Sequence, residues 1–313
     1  MNWFRKHWPR RQQGHDIVSL NLEGHQLAIT YATQDSEQER PQLNVCEVHP
    51  YHDLAELTDI LTSLVRKYHL KYKPCKWILA PSRYQLILLD ILNVSDNELA
   101  SAVRWQIKDR LTFPLDDALV EVFKVPPYGL SNQYKKMYAA IARHSELQAV
   151  ADVLHECDLR LEHIDIGELA LHTLLTLQNT GSTHSQALIS IREANSEILI
   201  SRNDALFLTR RLDLDVNKID SEYVWLEIQR SFDYCTSQLG FELPEKLMFT
   251  GMLEPDAALL VYLRQQLADK LKILDVARLF STELSLTNRL QQQCLYALGG
   301  LLRKESGEHA TAS

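Results

Sequence analysis

Residues 17–32 read IVSLNLEGHQLAITYA, and residues 187–202 read ALISIREANSEILISR. Each alternates apolar and polar positions at a period near two on either side of a short polar turn, which is the pattern of two half-buried strands joined as a hairpin. Working outward, each hairpin is followed by a third strand, at Leu43–Val48 in the first case. In the second case it is Ala205–Arg211, after the polar turn Arg202, Asn203 and Asp204. An amphipathic helix then follows in each copy, near Asp53–Tyr68 and Ser221–Leu239, and after it another strand, Trp77–Ala80 and Lys246–Thr250. Two copies of β-β-β-α-β predict a duplicated α/β core with a cleft between its halves. The polar stretch Gln178–Ser185 (QNTGSTHS) reads as the joint.

About 65 residues, 81–145, are extra to this repeat. They begin a helix at Ser95, with Glu98 as the partner in a capping box. Leu99, Val103, Ile107 and Leu111 recur every fourth residue as its buried stripe. Pro114 requires the helix to stop by Phe113. Trp105 falls opposite the stripe, beside Lys108 and Asp109. A further helix is expected from Ser145, with Gln148 as its box partner, after a buried strand Met137–Ala142. A strand Leu159–Ile166 follows that helix.

The chain has 313 residues and a formal charge of −8, from 33 basic and 41 acidic residues. That balance argues against sequence-independent nucleic-acid binding, which depends on neutralising phosphates. The charge is uneven: residues 1–11 hold Arg5, Lys6, Arg10 and Arg11 with Trp3, Phe4 and Trp8, and no acid. This head is either a solvated tail or a contact with a membrane surface. It is not followed by the apolar region of a signal peptide, and no apolar run reaches the roughly 18 residues of a spanning helix. Five separated cysteines (46, 75, 157, 235 and 294) show no metal-ligand spacing and read as buried free thiols of a reducing cytoplasm.

No P-loop, GxSxG, HExxH or GxGxxG motif occurs. His163 and Asp165 share a strand face, but no nucleophile completes a triad, so a hydrogen-bonded structural histidine is the alternative to a dyad. Arg104 and Lys108 read either as an anion-binding pair or as a solvated helix face. Glu227 and Arg230 could be a surface charge pair. Trp105 is a candidate interface anchor, and packing of the insertion against the core is the alternative.

Several segments in order carry a resemblance. These are SDNELASAVRWQIKDRLTFPLDDALVEV (95–122), AAIARHSEL, LHECDLRLEHIDIGELAL, FLTRR (207–211), Glu227-Ile-Gln-Arg-Ser231 and LYALGGLLR (295–303). Together they resemble the actin-like PilM family of type IV pilus assembly proteins, relatives of the division protein FtsA. Within it, size and eroded sites look most like the branch serving mannose-sensitive hemagglutinin (MSHA) pili. The resemblance implies an α/β fold: a duplicated actin-like (RNase H-like) core with an inserted α+β subdomain of the FtsA/PilM type. Its expected divisions are a basic tail 1–14, a first actin-like subdomain 15–80 plus 146–180, an insertion 81–145 and a second domain 186–290. A C-terminal helix 291–304 returns to the core, and 305–313 form a polar tail.

The departures from the family pattern carry the functional expectation. ATP-binding members have Asp-x-Gly in the first hairpin, where Asn21 and Glu23 stand here; Asn supplies no carboxylate, and Glu places negative charge where phosphate would sit. The second hairpin has Ser190 and Arg192 instead of Asp and Gly. In the nucleoside-side loop Gly251 remains, but Met252 replaces its companion glycine. With Glu227 and Arg230 these are the family-equivalent nucleotide positions, and their erosion argues against tight Mg-ATP binding. The expectation is a non-enzymatic pseudo-ATPase with no metal or cofactor. The resemblance implies a cytoplasmic adaptor, peripheral to the inner membrane, with three kinds of partner. These are the N-terminal cytoplasmic tail of a PilN-type inner-membrane protein, the assembly motor ATPases, and further copies of itself by self-association. Arg104, Trp105, Phe113 and Leu115 are the expected partner-binding residues. The alternative is a nucleotide-switched member that still binds ATP. A sugar-kinase-like phosphotransferase would need the carboxylates that Asn21 and Ser190 replace. A secretion protein of GspL type would need a C-terminal spanning helix.

Overall fold

Gly24 and His25 turn the chain between the first two strands, and both have positive φ (51° and 62°), as a two-residue hairpin turn of this hand demands. The computed structural model describes residues 16–34, 39–127, 135–178, 184–192, 195–214, 220–240, 242–251 and 257–304. The basic head, most of the expected joint, Met252 and the polar C-terminal tail lie outside the described residues.

The first half contains β1 (Ile17–Glu23), β2 (Gln26–Thr33), β3 (Gln42–Pro50), α1 (Leu54–Lys67) and β4 (Pro74–Leu79). Then come β5 (Tyr84–Asp90), α2 (Asp96–Gln106), β6 (Ala118–Lys124), β7 (Lys136–Arg143), α3 (His144–Glu156), β8 (Arg160–Ile166) and α4 (Gly167–Gln178). The second half contains β9 (Gln186–Ile191), β10 (Ser196–Arg202), β11 (Ala205–Leu212), α5 (Ser221–Tyr234), β12 (Lys246–Gly251), α6 (Ala258–Leu267) and β13 (Leu271–Ile273). Two helices, α7 (Asn288–Gln293) and α8 (Leu295–Leu302), close the described chain.

The two large sheets have the same plan. One is ordered β3-β2-β1-β4-β8 and the other β11-β10-β9-β12-β13. In each, a hairpin's first strand also pairs in parallel with the strand after the helix, Leu20 opposite Trp77 and Ile189 opposite Phe249. The hairpin repeat read from residues 17–32 and 187–202 is therefore a structural duplication. On the first sheet Leu57, Leu61 and Leu64 of α1 and Leu147, Val150 and Leu154 of α3 share a core with Leu20 and Trp77. On the second, Val224 and Ile228 of α5 and Leu259 and Leu263 of α6 cover Ile189, Ile198 and Phe249.

Between the sheets lie α4 and α8. A Cβ on Gly299 would come 2.5 Å from the Ala170 carbonyl, and one on Gly300 would come 2.4 Å from Ser19 Oγ. The GG pair thus lets α8 lie flush on α4 and on the first sheet. The third, antiparallel sheet is β5-β7-β6. One face packs Leu89, Met137, Ala139 and Ile141 against Leu99 and Val103 of α2 and Ile107 just after it. Its other face reaches the second half, where the Tyr138 hydroxyl accepts the Thr209 N–H at 2.9 Å.

Three local expectations are corrected. The α2 helix stops at Gln106, within the limit that Pro114 sets but short of Leu111, the last member of its expected stripe; Ile107 adopts φ −92°, ψ 0°, and a one-turn 3-10 helix, Lys108–Arg110, follows. Ile107 is still buried, so the stripe holds while its last member, Leu111, is only half-buried. Ser145 does not cap α3. It lies inside the first turn, where its N–H and hydroxyl donate to Asp117 at 2.8 and 2.7 Å. Gln148 instead bonds Asp152 one turn on, at 2.6 Å. The strand expected at Trp77–Ala80 begins at Pro74, because a proline is tolerated as the first residue of a strand.

Candidate functional site

At the ends of β1 and β9 the two hairpins meet. Glu23 Oε2 accepts from Arg192 Nη2 at 2.5 Å, and Glu23 Oε1 accepts from Asn195 Nδ2 at 2.6 Å. The two charged side chains are 13% and 8% exposed. The Arg192 guanidinium also stacks on the Tyr296 ring, 4.4 Å from its centroid. Tyr296 lies against Gly167, where a Cβ would come within 2.8 Å of the ring. Its hydroxyl donates to Glu197 Oε1 at 2.8 Å. Behind it, the Tyr84 hydroxyl donates to the Glu168 carboxylate and accepts the Gly167 N–H at 3.2 Å.

This chain of contacts joins elements of both halves in one buried network. Burial, then the charge of Glu168, pushes Glu197 up to about 8, against the Tyr296 hydrogen bond and the charges of Arg192 and Arg211. Burial raises Glu168 as well, opposed by the Tyr84 hydrogen bond. Two carboxyls in one desolvated network cannot both ionise readily, so the pair retains a proton well above the ordinary carboxyl range.

The remaining expected nucleotide positions are divided among separate contacts. Asn21 is buried and donates to the Ile78 carbonyl at 2.8 Å, tying β1 to β4. Ser190 is fully buried, and its hydroxyl has no hydrogen-bond partner. Gly251 ends β12 so close to β9 that a Cβ would lie 2.6 Å from the Ile191 carbonyl. Gly251 also lines a cleft of about 700 Å³ with Phe249, Lys272, Asn288 and Gln292, and none of the other six positions lines it. Glu227 is not part of a surface pair. It is buried, with one carboxylate oxygen 2.5 Å from Arg210 Nη2 and the other held by Arg230. The structure thus brings Glu23 to Arg192 and Glu227 to Arg230, with both carboxylates already bonded to cations of the protein.

On the insertion, Arg104 Nε and Nη2 donate to the Leu115 carbonyl at 3.1 and 2.6 Å. That engages Nε and Nη2 of the guanidinium in holding the 113–117 turn. Phe113 lies under the Arg143 guanidinium, 4.8 Å away. Trp105 projects from α2 with 68% of its surface exposed, as its helical position predicted. Asp165 of the His163/Asp165 pair accepts from the Ile166 N–H at 2.8 Å and from Arg303 Nε, which makes it a structural carboxylate.

Sequence reasoning missed Glu168, Glu197, Tyr296, Arg210 and Arg211. All of β9 and nearly all of β10 is buried on both faces, so period-two alternation gives no inward side there. The available signal was a Glu inside the apolar run SEILIS, where an ionisable group needs partners.

Compared by sequence, the chain matches no family model and no curated protein. Compared by structure, it superposes on a chain of the PilM–PilN type IV pilus biogenesis complex with a TM-score of 0.70. The identity is 15%, with 92% of this chain and 99% of that chain covered. A Bacteroides thetaiotaomicron protein with an actin-like ATPase fold and unknown function gives 0.52 at 13% identity, covering 90% and 96%. The cytoplasmic domain of EpsL, an inner-membrane component of the Vibrio cholerae type II secretion system, gives 0.51 at 14% identity, covering 93% and 96%. The class is therefore an actin-like α/β fold carrying an inserted three-stranded subdomain. The resemblance to the PilM family read from short segments extends over almost the whole chain. No helix among the described residues is long and apolar enough to cross a membrane.

Proposed function

We propose that this chain is a non-enzymatic, actin-fold adaptor of type IV pilus assembly at the cytoplasmic face of the inner membrane. It binds the N-terminal cytoplasmic tail of a PilN-type protein and links it to the assembly motor ATPases. Within that group it corresponds to MshI of the MSHA pilus. The observation that carries the reading is the Glu23–Arg192 contact, in which the carboxylate of one hairpin occupies the cation of the other at 2.5 Å. In a nucleotide-binding member that space is left to phosphate. Asn21, bonded to Ile78, supports the reading, since it offers neither metal nor metal-bound water a carboxylate. The fit to ATP with Mg²⁺ is poor on both counts, and no step is assigned to them.

Thermal unfolding with and without millimolar Mg-ATP tests the nucleotide part. A ligand at a hundred times its Kd stabilises by about 2.7 kcal/mol, which is a readily measured shift. No shift is expected, and a clear one establishes the nucleotide-switched alternative. Capture of the chain by immobilised N-terminal tails of PilN-type proteins tests the adaptor part. Failure with every such tail removes it.

A further inference from the structure

Arg192 lies between two carboxylates and is bonded to one of them. Its Nη2 donates to Glu23 Oε2 across the halves, while its Nη1 is buried without a hydrogen-bond partner. Glu197 shows the complementary pattern. Its Oε1 accepts from the Tyr296 hydroxyl at 2.8 Å, and its Oε2 is buried and unpartnered. The Ser190 hydroxyl is a third buried, unpartnered group beside them. Strand register explains why these atoms fall together. Glu197 of β10 is directly opposite Ser190 of β9. Arg192 follows Ser190 by two residues, the spacing that returns a side chain to the same face. Diagonal neighbours of this kind are about 7–8 Å apart, within reach of a long side chain. Tyr296 touches both partners, with its ring on Arg192 and its hydroxyl on Glu197.

We propose that the proton on Glu197 decides which carboxylate holds Arg192. With Glu197 neutral, Arg192 belongs to Glu23 and the two hairpins are clasped. When Glu197 ionises, its proton goes to bulk water and Arg192 Nη1 bonds Oε2. The Ser190 hydroxyl turns to donate to the same carboxylate, and the guanidinium moves off Glu23. The direction follows from burial. Glu197 is 1% exposed and the Glu23 side chain 13%, so an ionised Glu197 has the greater need of a cation. Glu23 keeps the Asn195 amide and gains water at the hairpin end.

The groups that face Glu197 are Ser190 on β9, Arg192 just past it, Arg211 on β11, Glu168 on α4 and Tyr296 on α8. Glu168 and burial keep the proton on, and the two arginines act against them. Arg211 donates to the Pro81 carbonyl, and of the two only Arg192 has a buried unpartnered donor. The Arg211–Pro81 and Tyr138–Thr209 contacts between the halves do not involve Arg192. The exchange therefore loosens the mouth of the hairpins as pH rises and leaves the rest of the junction in place. It follows from the chain's own contacts and does not depend on the adaptor reading.

The test is a double-mutant cycle of Glu23→Leu and Arg192→Met, read by chemical denaturation at about pH 6.5 and about pH 9, on either side of the Glu197 transition. The Glu23–Arg192 coupling is expected to fall at least ~2-fold at the higher pH, and to be equal at both in a Glu197→Gln background. Coupling that is unchanged or stronger at high pH overturns the proposal. So does an equal fall in the Glu197→Gln background, because another group is then responsible. Where a member of the cycle does not fold, Glu23→Gln decides. It removes the competing charge and frees Arg192 for Glu197. Carbon NMR of the glutamate carboxyls, with Glu197 assigned by Glu197→Gln, should then show Glu197 titrating about one pH unit or more lower. Titration at the parental pH overturns the proposal. Both measurements are made without nucleotide or partner, so their failure and that of the adaptor reading are separate results.

Discussion

Glu23 of the first half and Arg192 of the second are bonded at 2.5 Å where the two hairpins meet, each less than one-seventh exposed. The contact is a direct link between the duplicated halves, made by two positions that a phosphate-binding protein would keep small. Breaking a buried pair from one side strands the other charge and costs about 3 kcal/mol or more, whereas replacing both partners by apolar groups costs much less. Arg192→Met is therefore expected to lower the melting temperature by several degrees. Glu23→Leu combined with Arg192→Met should recover part of that loss. Strict additivity of the two single changes in a denaturation cycle would show that the pair does not couple the halves.

The buried Glu168–Glu197 pair gives the protein a defined pH dependence. Glu197 is raised to about 8 by burial and by Glu168, so the folded state holds a proton that the unfolded chain releases near the ordinary carboxyl range. Its stabilisation is full below that range and is lost as pH rises toward 8. His172 acts in the opposite sense. Burial, with the charge of Arg303, pushes it down to about 4, so its contribution is present above its unfolded value and lost as pH falls toward 4. The two oppose each other between about pH 4.5 and 6.5, and above that only the carboxyl remains. Unfolding free energy is thus expected to fall from pH 6.5 to 8 with a slope of up to about 1.4 kcal/mol per pH unit. Glu197→Gln keeps an acceptor for Tyr296 and should flatten that limb. An unchanged slope in urea titrations of this variant would sink the assignment.

These two sites also mark how far the sequence could be read. The α2 stripe of Leu99, Val103 and Ile107 and the exposed Trp105 follow from periodicity, because that helix has one wet face. The hairpin repeat follows from the same strand-turn-strand pattern occurring twice, although β9 and β10 are buried on both faces and not half-buried as the alternation predicts. The network around Glu197 and Tyr296 has no wet face. Glu197 lies in a strand buried on both sides, and Tyr296 lies in a helix whose every residue from Leu295 to Leu301 is buried. Periodicity carries no direction in such segments. The Glu23–Arg192 contact joins positions 169 residues apart. The resemblance identified both positions as abnormal for phosphate binding, but only the fold shows that they neutralise each other. The Ser145 cap failed for a local reason, since Asp117 from the insertion competes for the same hydroxyl and N–H.

The flush packing of α8 supplies a test of the core. A methyl at Gly300 would meet Ser19 Oγ at 2.4 Å and Ile78 Cγ1 at 2.5 Å, in the sheet that carries Asn21. Both neighbours are fully buried side chains of the first sheet with no open space to turn into, so relief requires the helix to move. Overpacking of this kind costs typically about 1–3 kcal/mol. Gly300→Ala is expected to be destabilised by that amount in chemical denaturation. Gly24→Ala is a useful contrast: no atom crowds its Cβ, so any loss there reports its positive φ alone. Gly300→Ala with parental stability would mean that α8 does not rest on β1 as described.

Trp105 separates folding from recognition. Its ring is 68% exposed on α2, while its neighbour Arg104 holds the Leu115 carbonyl through two hydrogen bonds. Truncating an exposed side chain away from such contacts changes stability by no more than about 0.5 kcal/mol. An exposed tryptophan beside a fixed turn has the character of a binding anchor, and loss of such an anchor weakens a complex by about 2 kcal/mol or more. Trp105→Ala is therefore expected to melt like the parent and to bind the PilN-type tail at least ~30-fold more weakly by calorimetry. Arg104→Ala should do both kinds of damage, since it frees the 113–117 turn as well as altering the surface. If Trp105→Ala bound the tail with unchanged affinity, the partner surface would have to lie elsewhere than on this face of the insertion.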